Sequence, residues 1–333
     1  MSVMTRLLLH VLAAGIVVMG AVPVAAQIKR ATERTQDRQP DIQGFWNNST
    51  LTPLERGLLT VTMAERVNLP EITSLTVSDR QARDIEKHIA EQASFDRRDG
   101  GADLDVSRAY NSLFLDFETE LARVDGVKRT SLIVDPPEGR IPPLTAEAER
   151  RRLASRSGFG SVSERPLEER CLVSVGPAAG PPMVPARYNS NYQIVRAPGV
   201  VMIFTEMIHD VRIVRLGATH APRSVRQWLG DSIGHWEGDT LVVETTNFND
   251  QTAFHGASPN LRVTERFRRV DAKTLLYRAI IEDSDAFTRP WTIEYPFRST
   301  SEPLYEFACH EGNYAVTGIL GGARKADEAA RRK

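Results

Sequence analysis

The chain has 333 residues, a formal net charge of -1, 41% hydrophobic and 26% charged side chains, and two cysteines. That balance belongs to a globular protein rather than a disordered one. The basic groups are scattered, which leaves no electrostatic footprint for a polyanion and excludes nucleic acid as a partner.

Residues 1–26 read as a signal peptide. Arg6 supplies the positive start, residues 7–22 the apolar run, and Val24-Ala25-Ala26 the small residues that signal peptidase requires. The run falls short of the roughly twenty residues that span a bilayer, so no membrane insertion is expected after cleavage and the predicted location is periplasmic or secreted. Residues 27–40 are polar and aperiodic, a flexible leader. A single globular domain is expected over 41–324, with an N-terminal elaboration (41–185), a β-meander core (186–324) and a charged tail beyond it (325–333).

In the elaboration, residues 41–46 predict a first strand. Ser78 predicts the cap of a helix that carries Ala82, Ile85, Ile89, Ala93 and Phe95 on one face. Residues 110–116 and 130–134 predict strands, Asp135-Pro136-Pro137-Glu138-Gly139 a turn, and Thr145 the cap of a helix ending near Ala154. Residues 155–185 are dense in Gly, Pro and Ser and predict a loop.

Beyond Pro185 the pattern changes to short, β-branched or aromatic runs at 188–195, 200–207, 210–216, 225–229, 240–247, 261–270, 274–282, 291–298 and 304–309. Gly238-Asp239 and Asp271-Ala272-Lys273 have the chemistry and length of hairpin turns. The fold class predicted is mainly β: an antiparallel meander curling into a lipocalin-like barrel or bent sandwich, with an N-terminal α/β elaboration. A β-propeller would need a repeated motif that the chain lacks.

Cys171 and Cys309, an even count in an exported chain, predict a disulfide. A nucleophilic Cys309-His310 pair is the sharper alternative, but neighbours on a strand point to opposite faces.

If residues 200–215 alternate without a bulge, His209 interrupts an apolar face with Val201, Ile203, Thr205 and Met207. There it is either a pocket-wall imidazole or a core histidine bonded to a carbonyl. Glu206, Asp210 and Arg212 fall on the other face, a surface ion-pair set unless that face is the interior. On the last predicted strand Glu306 and His310 share a face. The candidate catalytic set is therefore His209 and His310 as acid and base with Glu306 as orienting carboxylate, and Arg212 or Arg226 as an anion clamp. Tyr188, Asn191, Tyr192 and Trp291 are candidate substrate-binding residues lining a pocket, and His255 lies in a loop suited to covering a barrel mouth. His88 reads as solvated, His220 as loop and His235 as a hairpin end. Glu206-x-x-His209 lacks metal-site spacing, and no phosphate loop or nucleophile elbow is present, so neither metal nor cofactor is expected.

The strings around residues 129–143, 188–194 (Tyr-Asn-Ser-Asn-Tyr-Gln-Ile), 206–210 (Glu-Met-Ile-His-Asp), 226–231 (Arg-Gln-Trp-Leu-Gly-Asp), 236–243 (Trp-Glu-Gly-Asp-Thr-Leu-Val-Val) and 308–314 (Ala-Cys-His-Glu-Gly-Asn-Tyr) resemble a family of exported bacterial proteins of unassigned function. The resemblance covers about residues 41–324. It implies export and one domain from end to end, and carries no catalytic assignment; it also implies that the chain is not a disguised member of a well-known enzyme superfamily. The function expected from the residues is an exported enzyme acting on a small or medium organic substrate by general acid-base chemistry, as a lyase, isomerase or hydrolase. The alternative is a lipocalin-like binding protein for an apolar or glycosidic ligand; an envelope scaffold has no repeat or long amphipathic run to support it.

Overall fold

The computed structural model describes residues 34–35, 38–60, 66–68, 72–92, 101–102, 119–154, 158–173, 180–186, 188–251 and 254–332. The signal peptide, most of the leader, the strand expected at 110–116 and the Ala93 and Phe95 positions lie outside these residues.

The strands are β1 (Gly44–Asn47), β2 (Leu58–Thr60), β3 (Arg66–Asn68), β4 (Thr76–Val77), β5 (Arg123–Val124), β6 (Val127–Arg129), β7 (Ile133–Asp135), β8 (Asn191–Ala197), β9 (Val200–Thr205), β10 (Val211–Leu216), β11 (Asp231–Glu237), β12 (Thr240–Thr246), β13 (Arg262–Arg269), β14 (Thr274–Glu282) and β15 (Trp291–Ser299). Among the described residues three α-helices accompany them: α1 (Asp79–Gln92), α2 (Ala146–Ala154) and α3 (Ala315–Arg331).

Strands β1 and β8 to β15 pair in the order β1-β8-β9-β10-β11-β12-β13-β14-β15, and β1 then pairs with β15, closing a nine-strand barrel. The free edge of β15 is shared: β1 takes its end through Trp46↔Ser299 and Asn47↔Arg298, while β7 takes its beginning through Thr292↔Asp135 and Ile293↔Ile133. Period-2 alternation fills the interior, since successive residues face opposite ways. Leu275, Tyr277, Ala279 and Ile281 of β14 and Trp291, Ile293, Tyr295 and Phe297 of β15 all point inward and are fully buried. Each such side chain contributes roughly 1.5–3 kcal/mol of transfer free energy.

The meander is not wholly antiparallel. β10 and β11 run parallel, with Val214 opposite Ser232, because residues 217–230 cross back along the barrel before β11 begins. This crossover replaces the strand expected at 225–229; its backbone meets the sheet at one bridge, Gln227↔Phe248. β11 itself was expected only as a hairpin end. Gly234 at its centre lies where a Cβ would stand 2.8 Å from Val214 Cγ1 and 3.2 Å from the Val242 carbonyl, so close strand approach demands the residue that hides the strand signal.

Residues 304–309 are not a strand either. The barrel closes through β1 and β15, and both ends of the β15 edge are occupied without them. Beyond them α3 runs through the residues read as a charged tail, mostly exposed and with Leu320 buried.

In the elaboration α1 begins with a capping box, Ser78 N–H donating to Gln81 Oε1 at 3.1 Å and Gln81 N–H to Ser78 Oγ at 3.4 Å. Its Ala82, Ile85 and Ile89 pack on Leu51, Val77 and Leu121, and the buried Lys128 ammonium of β6 pairs with its Glu86 (3.1 Å) as well as with Glu120 (2.7 Å) ahead of β5. Residues 32–333 form one compact unit. Among the described residues no helix is long and apolar enough to cross a membrane.

Candidate functional site

The interior of the barrel is the first place to look, and among the described residues it carries large buried side chains. A charged polar network there is built around Arg212, whose guanidinium pairs with Glu265, both at most 3% exposed. Tyr277 donates to Glu265 Oε1 at 2.9 Å and accepts the Met183 N–H at 2.8 Å, while Tyr295 donates to the Met183 carbonyl at 2.8 Å. Asn48 Nδ2 donates to the hydroxyls of Tyr192 (3.2 Å) and Tyr295 (3.0 Å). Burial alone would lower the Arg212 pKa, but the Glu265 carboxylate beside it raises it on balance, and burial raises those of Tyr192, Tyr277 and Tyr295. The segment carrying Gly180, Pro181, Pro182, Met183 and Val184 is buried with this network. Arg212 and Tyr192 are thus interior packing and pairing groups, not an exposed clamp and pocket wall.

The second place is the barrel end where β9 turns into β10. The turn is a single helical twist, Met207–His209, in which Ile208 (φ 64°) and His209 (φ 57°) both adopt the left-handed region. For a β-branched residue this is strained by roughly 1–3 kcal/mol, and such outliers cluster at functional sites. The turn breaks the alternation assumed from sequence. Glu206 goes in rather than out, 3% exposed, and His209 goes to solvent.

Glu206 is held on every side. Its Oε1 accepts from Asn189 Nδ2 (3.0 Å) and Tyr305 N–H (3.4 Å), its Oε2 from Asn191 Nδ2 (2.6 Å), and Asn191 Oδ1 accepts from Asn47 Nδ2 (2.8 Å). Asn189 also has positive φ, 53°, which an asparagine tolerates. His209 Nε2 accepts the Phe307 N–H at 2.9 Å, which places the proton of the neutral ring on Nδ1. Its ring stacks on Phe204 at 6.3 Å, and Tyr188 stacks on Phe307 at 6.4 Å. Asp210 contrasts with Glu206: its Oδ2 is buried without a hydrogen-bond partner, and burial pushes its pKa up to about 6.

No protein-family model, curated protein or solved structure matches the chain. The site therefore has to be read from its own chemistry.

Of the residues singled out in the sequence, Tyr188, Asn191 and His209 come together at this end, with the strap carrying Glu306 laid across it. Glu306 itself is exposed between Tyr305 and Phe307. His310 is exposed in the turn after Cys309, and the Nε2 acceptor of His209 is taken by a backbone amide rather than by His310. Cys171 and Cys309 form the expected disulfide, with Cα atoms 5.7 Å apart, and Asn313 Nδ2 donates to the Glu169 carbonyl beside it at 3.1 Å.

The remaining candidates lie elsewhere. Trp291 starts the strand whose far end pairs with β1, about 23 Å away along the strand, and is fully buried against Phe254 and Phe287. His255 sits edge-on to Phe254 (4.9 Å) at that same end. Arg226 donates to the carbonyls of Phe248 (3.0 Å) and Pro259 (2.7 Å), pinning the crossover.

His220, read as loop, bridges Asp231 (Nδ1, 3.0 Å) and Glu244 (Nε2, 3.1 Å). Burial would raise the pKa of both carboxyls, yet hydrogen bonds from Ala221 N–H, His220 and Arg215 keep Asp231 low, and those from Arg262 and His220 keep Glu244 low. This stitches the crossover to the sheet. Among the described residues no group of three His, Cys, Asp or Glu side chains is arranged to hold a metal ion.

Proposed function

We propose that the protein is an exported enzyme that acts on a small or medium organic molecule by general acid-base chemistry at the Glu206–Asp210 turn. The observation that carries this reading is Asp210, a carboxyl group with one buried, unpartnered oxygen and a pKa of about 6, poised to gain or lose a proton near neutral pH. Glu206, fixed by two asparagine amides, supplies a permanently oriented acceptor that holds the turn, and His209 supplies a second proton-carrying group on the neighbouring residue. Strain at Ile208 and His209 fits a segment shaped for chemistry rather than for stability.

The carrier reading is less well supported, because the barrel interior is occupied by Trp46, Phe267, Tyr277, Tyr295 and Phe297 together with Met183. Export rests on residues 1–26, and the disulfide is of the kind that persists in oxidising compartments.

The test is to incubate purified protein with a mixture of small organic compounds between pH 5 and 8 and to follow consumption by mass spectrometry. The expected result is a compound whose turnover changes with an inflection near pH 6 and falls by a factor of about 100 or more in Asp210→Asn. Equal consumption by the variant, or none by either protein, overturns the proposal.

A further inference from the structure

Between β15 and the disulfide the chain runs as a strap, residues 301–308, without regular structure. It is anchored at its start by Thr300 N–H donating to the Phe45 carbonyl (3.0 Å) and at its end by Cys309 bonded to Cys171. Between these anchors two backbone hydrogen bonds tie it to the barrel: Tyr305 N–H to Glu206 Oε1 and Phe307 N–H to His209 Nε2. The second is the shorter, 2.9 Å against 3.4 Å, and it exists in one protonation state alone. A neutral imidazole offers Nε2 as an acceptor; an imidazolium carries hydrogens on both nitrogens and repels the amide.

We infer that the strap is a pH-operated lid, latched over the Glu206–Asp210 turn by neutral His209 and released when that imidazole takes up a proton. The inference deepens the acid-base reading and rests on it for its consequence, namely that release exposes the site. Both charged and neutral groups surround the latch. Glu206 and Asp210 flank His209 on its own turn, Glu306 sits beside Phe307 on the strap, and the turn after Cys309 adds His310 and Glu311. Phe204 of β9 and the Asn189–Asn191 segment present neutral groups. Protonation of Nε2 removes the acceptor that holds the Phe307 amide, and the bond that held the strap is lost. The disulfide keeps the released strap tethered, so opening is reversible and local.

The experiment is hydrogen–deuterium exchange of the 301–308 segment in the full, disulfide-intact chain at pH 8 and pH 5, corrected for the intrinsic pH dependence of exchange. Opening is expected to rise about tenfold at pH 5, the scale of one lost hydrogen bond. It should stay closed at both pH values in His209→Gln, which retains an acceptor that does not titrate, and keep its pH step in Asp210→Asn. Equal protection of the wild type at both pH values, or a step that persists in His209→Gln, overturns the lid.

Should His209→Gln fail to fold, the Phe307 amide proton of the wild type serves instead. Its chemical shift must move together with titration of the His209 ring carbons, and independence of the two overturns the lid. Exchange needs no substrate, so a lid that opens in a protein without turnover removes only the enzymatic reading. Turnover with a pH-invariant strap removes only the lid.

Discussion

Glu206 and Asp210 stand on one turn and meet burial in opposite ways: the first has hydrogen-bond donors on both oxygens, the second leaves Oδ2 with none. For Asp210 the consequence has a definite sign. Its proton is held more tightly in the folded protein, so its contribution to stability is fully present below the ordinary value of 3.8 and is lost as pH rises through about 6. Asp210→Asn keeps the neutral shape at every pH and should be more stable than the wild type at pH 8 by about 1–2 kcal/mol, after allowance for its partial exposure, with the gap closing near pH 4. Urea denaturation at the two pH values measures it, and a gap that does not change with pH would remove the burial argument. Arg212 and Glu265 pose the complementary case, a charge pair sealed inside the barrel. Arg212→Ala strands the Glu265 carboxylate and should cost about 3–5 kcal/mol, whereas Arg212→Met with Glu265→Leu removes both charges and should recover at least half of that loss. Urea midpoints for the three proteins decide the point; a double variant no better than Arg212→Ala would show that the pair earns its place by geometry rather than by mutual neutralisation.

At the scale of elements, the hairpins β11–β12 and β13–β14 hang on Gly238-Asp239 and on Asp271 to Lys273, and these turns were legible because their chemistry is local. What was not legible depends on partners distant in sequence. The 304–309 segment alternates like a strand but is held by single hydrogen bonds to Glu206 and His209 instead of a ladder, and α3 carries Gly318, Gly321 and Gly322, which mask a helix by propensity. The site was half visible. His209 stood out by residue type, but Glu206 and Asp210 were read as surface charges because a three-residue twist, invisible to period-2 counting, reverses the face they occupy. Glu206 is buried with its oxygens satisfied because Asn191 of β8, Asn189 just before it and Tyr305 of the strap converge on it. β11 was hidden by Gly234, and there the physics can be tested. Gly234→Ala would place a Cβ against Val214 Cγ1, which can rotate away, and the Val242 carbonyl, which cannot without disturbing the ladder. A loss of about 1–3 kcal/mol is expected from the urea midpoint. A neutral substitution would mean that the β10–β11–β12 spacing is looser than the contacts require.

For the whole molecule the decisive contact is the closure of the barrel by β1. Gly44–Asn47 pair on one side with β8, and Trp46 and Asn47 on the other with the end of β15, so the last bond of the ring joins segments from nearly opposite ends of the described chain. Trp46 carries that closure. It is 1% exposed, donates through Nε1 to the Ile42 carbonyl at 3.0 Å, and lies under the Arg269 guanidinium at 5.7 Å. The pairings from β11 to β15 link strands consecutive in sequence and can form early, whereas closure must meet a much larger loop entropy before its contacts form. Trp46→Ala should therefore cost about 3–5 kcal/mol at equilibrium, and most of that loss should appear as faster unfolding, with the folding rate nearly unchanged. Stopped-flow folding and unfolding of the disulfide-intact protein across a urea series separates the two arms. If the folding arm slows in proportion to the lost stability, Trp46 is already docked in the transition state, and the barrel is built around β1 instead of being shut by it.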